Sequence, residues 1–185
     1  QESQTLNHLE ALNTKNSSSL VIKTIKQNLK SLEKKQSNLL QEIKRIIKSN
    51  EKLNDKFKRL QTIKGIGELS AIVLLHHFLK YPNTNKKQIV SLAGLEPVQK
   101  TSGSSVNKKS KISKAGSKLC RGTLFMASIV AINFNQEMKL FYNRLKQNGK
   151  HTTVAQVAVM RKLIVLAHSI YKNDTVYDEN RYLEH

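Results

Sequence analysis

IKTIKQNLKSLEKKQSNLLQEIKRIIKSNEKLNDKFKRL, residues 22–60, sets its apolar side chains at alternating steps of three and four. That spacing keeps one stripe on one side of a slightly underwound helix, which is the seam of a coiled coil. The a positions are Ile22, Leu29, Gln36, Ile43, Asn50 and Phe57; the d positions are Ile25, Leu32, Leu39, Ile46, Leu53 and Leu60. Buried polar residues such as Gln36 and Asn50 cost stability but penalise slipped registers, so they favour one specific pairing. An uninterrupted helix of this length would run roughly 58 Å, more than a small globule covers. It is expected to pair with another helix, and the favoured expectation is a homo-oligomer, dimer or tetramer, built on the apolar a and d positions. The competing reading folds the helix back on residues 1–19, a short polar segment interrupted by Ser17, Ser18 and Ser19.

The composition around this helix is one-sided. The 185 residues carry 32 lysines and arginines against 13 acids, a formal charge of +19. A field of that strength attracts polyanions, and nucleic acid is the expected partner. A membrane surface is the other polyanion, but no apolar run reaches the ~18 residues of a spanning helix, and no signal-peptide core opens the chain. The expectation is a soluble, cytoplasmic protein with no membrane partner. The length excludes a large multidomain enzyme, and 38% hydrophobic residues suffice for a modest core. Cys120 is the single cysteine and can form no intrachain disulfide. The start at Gln1 reads as a piece of something longer, and Leu183, Glu184 and His185 as the beginning of an expression-tag junction.

After the seam comes Ile63-Lys64-Gly65-Ile66-Gly67 and then an apolar helix over 71–79. This is the pattern of a helix-hairpin-helix element, in which Gly65 and Gly67 permit a tight turn and leave backbone N–H groups to meet phosphate. A simple turn between helices explains the same five residues. His76 and His77 have no acid or cysteine at metal spacing and are expected to be packed or surface residues, and no metal site is expected in this chain. Further helices are expected over 86–93, 118–133, 136–147 and 153–171, with Asn135 as an N-cap and Gly149 as a stop. The last is apolar on most sides and is expected to be the buried centre. No period-2 run demands a sheet, so the fold class is all-α. The expected organisation is a polar segment and coiled-coil helix over 1–60, a compact helical nucleic-acid-binding domain over 61–172, and a tail over 173–185.

Between Val98 and Gln136 there is no acidic residue, while Lys100, Lys108, Lys109, Lys111, Lys114, Lys118 and Arg121 crowd its first part. Such one-sided charge marks a phosphate-contacting surface. Inside it lies Thr101-Ser102-Gly103-Ser104-Ser105. A serine here can attack a phosphodiester, with the surrounding cations stabilising the extra charge of the transition state. Activation is the difficulty, because no histidine or carboxylate lies nearby in sequence. A solvated linker touching the DNA backbone explains the same composition.

Taken in order, 63–67, Ala93-Gly94-Leu95-Glu96-Pro97, Ser102-Gly103, Ile112-Ser113-Lys114-Ala115-Gly116, Phe141-Tyr142-Asn143-Arg144-Leu145 with Gly149-Lys150, and 155–163 form six spaced blocks. Over about 61–171 they resemble the C-terminal domain of the insertion-sequence "one-ten" family of transposases and Piv-type DNA invertases. The resemblance implies a two-part enzyme of the prokaryotic cytosol. An N-terminal RNase-H-like domain would hold Mg²⁺ on four carboxylates, and a coiled coil would join it to this domain. The serine of the Ser-Gly pair, here Ser102, would attack DNA to form a covalent 5′-phosphoserine. A structured noncoding RNA that guides DNA pairing is implied as a second partner. The cofactor expected in this chain itself is none. Gly65, Gly67, Gly103, the six lysines above, Arg121 and Lys150 are the expected DNA contacts, with Lys114 and Arg121 near the scissile phosphate. Cys120, Ala115 and Gly122 depart from the family pattern, which has leucine at the first and basic residues at the other two.

Two rivals stay open at this point. A noncatalytic DNA- or RNA-binding and dimerisation module would use the hairpin and basic loop only to hold phosphate. A tyrosine recombinase would use Tyr142, the best placed tyrosine, but needs a clamp of arginines and histidine, of which Arg144 alone is present.

Overall fold

Asn50 ends one helix and begins the next. The computed structural model describes residues 3–5, 7, 19–98, 101–102, 106–107 and 111–179, with the backbone alone at 101–102 and 106–107. Helix α1 is Ser19–Ser49 and α2 is Glu51–Gln61. Between them the Asn50 side chain accepts the Leu53 N–H at 3.1 Å, and its carbonyl accepts the Asn54 N–H at 2.9 Å. This is an N-cap, the role in which a short amide competes best with helical hydrogen bonding. The single helix expected over 22–60 is therefore interrupted, and Asn50 is a cap rather than a polar seam residue.

The chain divides into two units, Gln1–Asn54 and Asp55–His185. In the first, the middle of the expected seam is open to solvent, with Leu39 66%, Ile43 40% and Ile46 51% exposed. Ile22, Ile25, Leu29 and Leu32 are half-buried. Gln4 and Thr5, from a helical turn at 3–5, line a shallow groove with Ile25, Asn28 and Leu32. Residues 4 and 5 thus lie along the early heptads. Leu60 belongs to the second unit, where it is fully buried. A side chain packed inside its own unit is not available to a partner helix, which corrects the seam at that position.

In the second unit α3 is Glu68–Lys80, α4 is Lys86–Leu92, α5 is Lys118–Phe134, α6 is Gln136–Gln147 and α7 is Thr152–Asn173. Between α4 and α5 lie four two-residue strands, β1 Pro97–Val98, β2 Thr101–Ser102, β3 Val106–Asn107 and β4 Lys111–Ile112. The architecture is all-α apart from this small hairpin. Helix α7 is the centre, burying Ala155, Val159, Met160, Leu163, Ile164, Leu166, Ala167 and Ile170 against α3, α4, α5 and α6. Among the described residues α7 alone is long and apolar enough to cross a bilayer, yet half of its apolar stretch is buried inside the unit. Protein packing accounts for those sides.

Local chemistry sets the helix ends. Asn85 caps α4 with a reciprocal box to Gln88. Asn135 accepts the Met138 N–H at 3.1 Å to start α6, and Gly149 at φ 72° follows its end. The buried Glu137 is satisfied by Lys162 at 2.8 Å and by the Tyr177 hydroxyl at 3.1 Å. Burial pushes the Tyr177 hydroxyl upward, which keeps it a donor to Glu137 and Asn135.

Two histidines sit in this core against aromatic rings. His77 packs edge-on to Tyr81 with centroids 5.2 Å apart, and His168 packs against Phe78 at 5.3 Å. Among the described residues no group bonds His77 Nε2. Burial, with the cationic neighbours His76, Lys80 and His168 adding to it, pushes His77 down to about 4. Burial followed by Lys172 and Lys86 lowers His168 as well. The unfolded chain therefore binds these protons first, and stability is full above pH ~6.5 and is lost as the pH falls toward about 4. The thermal midpoint, followed by circular dichroism, should fall across that window. His77→Leu should flatten the fall, whereas an unchanged slope would contradict the assignment.

Candidate nucleic-acid interface and the serine arm

Among the described residues, the first part of the interval with no acids pairs as short antiparallel strands. Pro97 and Val98 pair antiparallel with Ile112 and Lys111, and Thr101 and Ser102 pair with Asn107 and Val106. Three residues, Gly103-Ser104-Ser105, separate Ser102 from its cross-strand partner, so the serine holds the last paired position before the tip. The loop expected from composition is thus a paired arm at this position.

Its base is a knot of backbone bonds. Ser113 N–H donates to the Glu96 carbonyl at 2.8 Å, Lys114 N–H to Gly94 at 3.1 Å and Ser117 N–H to Leu92 at 2.9 Å. Gly94 has φ 69°, and a Cβ on it would lie 2.6 Å from an Arg121 guanidinium nitrogen. A Cβ on Gly116 would fall well inside contact distance of the Leu92 carbonyl oxygen. Both glycines are required because the two legs touch. Lys114 takes a left-handed φ of 58°, which a non-glycine residue adopts only when its surroundings impose it.

Two arginines fasten the knot to the core. Arg121, expected to contact DNA, is half-buried and donates to the carbonyls of Ala93 at 3.3 Å and Gly116 at 3.4 Å. Arg161 on α7 donates to the Leu95 carbonyl at 2.7 Å, and burial lowers its pKa. Arg161 was not among the expected site residues. Its signal is a cation inside an otherwise apolar helix, which requires a specific partner.

Other expected contacts fall in several places. Lys111, Lys114 and Lys118 are exposed on the return leg and at the start of α5. Lys100, Gly103, Lys108 and Lys109 lie outside the described residues. Gly65 has φ 109° and abuts Ala131 of α5, where a Cβ would come within 2.7 Å of the Ala131 Cβ, so close packing demands glycine there. Gly67 precedes α3 and supplies no side-chain cap. Leu69 and Ser70 line one groove with Lys118, Leu119 and Gly122, so the N-termini of α3 and α5 face the same opening. Lys150 is exposed in the α6–α7 turn, a different loop from the arm. Arg144 lies over the Phe141 ring, 5.6 Å from its centroid. Among the described residues no three histidines, cysteines, aspartates or glutamates come together to hold a metal ion.

Comparison with known proteins adds an independent finding. Residues 57–143 match the family model described as "Transposase IS116/IS110/IS902 family". The chain is 31% identical over 144 residues to the pilin gene-inverting protein of Moraxella bovis, an alignment covering 75% of this chain and 44% of that protein. It is 30% identical over 142 residues to the pilin gene-inverting protein of Moraxella lacunata, with the same coverage. An insertion element IS110 uncharacterized 43.6 kDa protein of Streptomyces coelicolor is 25% identical over 122 residues, 64% of this chain and 29% of that protein. The chain spans less than half the length of each of these relatives.

The knot makes a stability prediction. Gly116→Ala forces the two legs apart and should cost about 1–3 kcal/mol, as overpacking does. Gly149→Ala meets open space and only its left-handed φ, so it should cost about 1 kcal/mol. Chemical denaturation of both variants checks the order, and equal losses would contradict the close contact.

Proposed function

The chain belongs, through residues 57–143, to the IS116/IS110/IS902 transposase family, and from that premise we propose that it is the serine-bearing DNA-strand-exchange part of a transposase or recombinase. Ser102 is the nucleophile of this reading. Its Oγ attacks a backbone phosphorus, a P–Oγ bond forms, and the bond from phosphorus to the 3′ oxygen breaks, leaving a 5′-phosphoserine and a free 3′-hydroxyl. Attack by the 3′-hydroxyl of another strand then reverses the chemistry and joins new partners. The observation that carries the reading is the arm: Ser102 at its last paired position, on an interval without acids from Val98 to Gln136, flanked by lysines. Cations placed there stabilise charge developing on the phosphate, and no nearby carboxylate opposes them.

Among the described residues no carboxylates gather as a Mg²⁺ site requires. The metal and the group that takes the serine proton are assigned to an RNase-H-like carboxylate domain of the whole protein. Lys111, Lys114 and Lys118 position the DNA backbone in this reading, while Arg121 acts through the arm base as a positioning residue. Lys100, Lys108, Lys109, Lys150 and the turn at Gly65–Gly67 are further phosphate contacts of the proposal. The open seam of α1, with Leu39, Ile43 and Ile46, is the homo-oligomerisation element. A guide noncoding RNA is a second polyanion for the same +19 surface, and the site of action is the prokaryotic cytosol and nucleoid.

Incubating the whole protein that carries this chain with DNA and Mg²⁺, then mapping the covalent adduct by mass spectrometry, tests the nucleophile. The adduct should sit on the Ser102 peptide and vanish in Ser102→Ala, with DNA affinity within about twofold. Normal strand exchange by Ser102→Ala would establish the noncatalytic module instead, and an adduct on Tyr142 the tyrosine chemistry. DNA affinity should also fall steeply with salt, and replacing Lys111, Lys114 or Lys118 by alanine should each lower the log–log slope by about 1. A flat salt response would contradict phosphate-driven binding.

A further inference from the structure

Helix α5 is apolar on both sides, yet only one side is covered. Cys120, Leu124, Ala127, Ser128 and Ala131 face the core. On the outer side Leu119 is 65% exposed, Phe125 42%, Met126 62%, Ile129 40%, Val130 43% and Phe134 71%. A helix that is hydrophobic all round belongs in an interior. At those exposures, with about 150–250 Å² for each large side chain, the six leave on the order of 500–800 Å² open. That lies at or above the ~300–600 Å² patch of an ordinary monomer and reaches toward the ~800 Å² that each partner brings to a stable interface.

We propose that this outer face of α5 is a self-association surface, occupied by the same face of a second copy of the chain packed antiparallel about a twofold axis near Met126. Charge favours a second copy here, although the chain as a whole carries +19. From Leu119 to Gln136 the only charged residue is Arg121, and its guanidinium turns inward to the Ala93 and Gly116 carbonyls. Lys118, exposed at the groove edge, falls at opposite ends of two antiparallel copies, so the like-charged chains meet along the strip without cation facing cation. Shape favours it as well. At one end of the strip an open groove of about 630 Å³ is lined by Leu69, Leu119, Gly122 and Met126, with Lys118, Ser70 and Thr123 as its polar part; at the other end projects Phe134, the most exposed residue of the strip. An antiparallel pair crossing at Met126 sets residue 134 of one copy against residue 118 of the other, so each Phe134 enters the partner's groove beside the stem of Lys118. Gly122 has open space where a side chain would stand, which lets the two helices approach. A twofold contact of this kind is self-complementary, with each residue pair made twice.

This surface lies in the second unit and is distinct from the α1 seam, so the two contacts are separable. Sedimentation equilibrium of the full 185-residue chain at several concentrations reads them apart. Leu39→Glu with Ile43→Glu, which disables the seam, should leave a dimer held by α5. Adding Met126→Glu should halve that mass to the monomer, with far-ultraviolet circular dichroism unchanged because Met126 is exposed. A monomer from the seam variant alone, or a mass unmoved by Met126→Glu, would overturn the proposal. Met126→Cys supplies a milder reading of the same geometry. Oxidation should join two copies through residue 126 in the seam-disabled background, and failure to cross-link at concentrations where that chain sediments as a dimer would place the contact elsewhere and overturn the twofold packing.

Discussion

The carbonyl of Leu92 and the missing side chain of Gly116 govern the second unit. The chain leaves α4, runs out along one leg of the arm and returns along the other, and the legs meet where no Cβ fits. Ser117, next in sequence, donates its N–H to Leu92 and places its hydroxyl over the Cys120 N–H to begin α5. Closing the arm and starting α5 are therefore one event. From that start α5 carries Arg121 back to the knot and, further along, sets Ala131 against the Gly65 turn. Arg161 brings α7, the central helix, to the same place. A short arm with two-residue ladders has little stability of its own, so its position is inherited from the helices that clamp its base.

Much of this was legible as pattern. The helices over 86–93, 118–133, 136–147 and 153–171 follow from apolar spacing, and Asn135 and Gly149 mark their ends as residue types that favour caps and left-handed turns. The arm was not legible, because four strands of two residues each leave no period to detect. What could be read was that 93–97 and 112–116 are two of the six spaced blocks that carry the family resemblance; their physical link is that they are the two halves of one knot. Asn50 was misassigned because an asparagine at a heptad position and an asparagine at a cap look identical until the helix is seen to break. Leu60 misled in the same way, since an apolar residue in register says that it is buried but not against what. Arg121 shows the limit for charge. A cation in a basic segment reads as a phosphate contact, yet its guanidinium is spent on two backbone carbonyls.

The electrostatics divide the work. The acids nearest the arm in sequence are engaged, Glu96 by the Ser91 hydroxyl at 2.8 Å and Glu137 by Lys162 and Tyr177. Neither is a spare base for a serine, and among the described residues no cluster of metal ligands replaces one. In the proposed function this division is the design of the protein: one part presents the nucleophile within a field of lysines, and another brings the carboxylates and the metal. Under that proposal reaction is conditional on assembly, since neither part would be an active site by itself. Exposed apolar surface on α1 and on α5 is the physical means by which copies could be brought together, while the basic surface keeps unassembled chains apart in the absence of a polyanion.

The arm is held at a rigid base rather than attached through a flexible loop. Amide hydrogen exchange at Ser113, Lys114 and Ser117 measures this directly, because each N–H donates across the knot. The account predicts protection approaching that of the α7 core, so that these amides open only with the unit as a whole. Exchange at the rate of exposed turn amides, with α7 still protected, would contradict it.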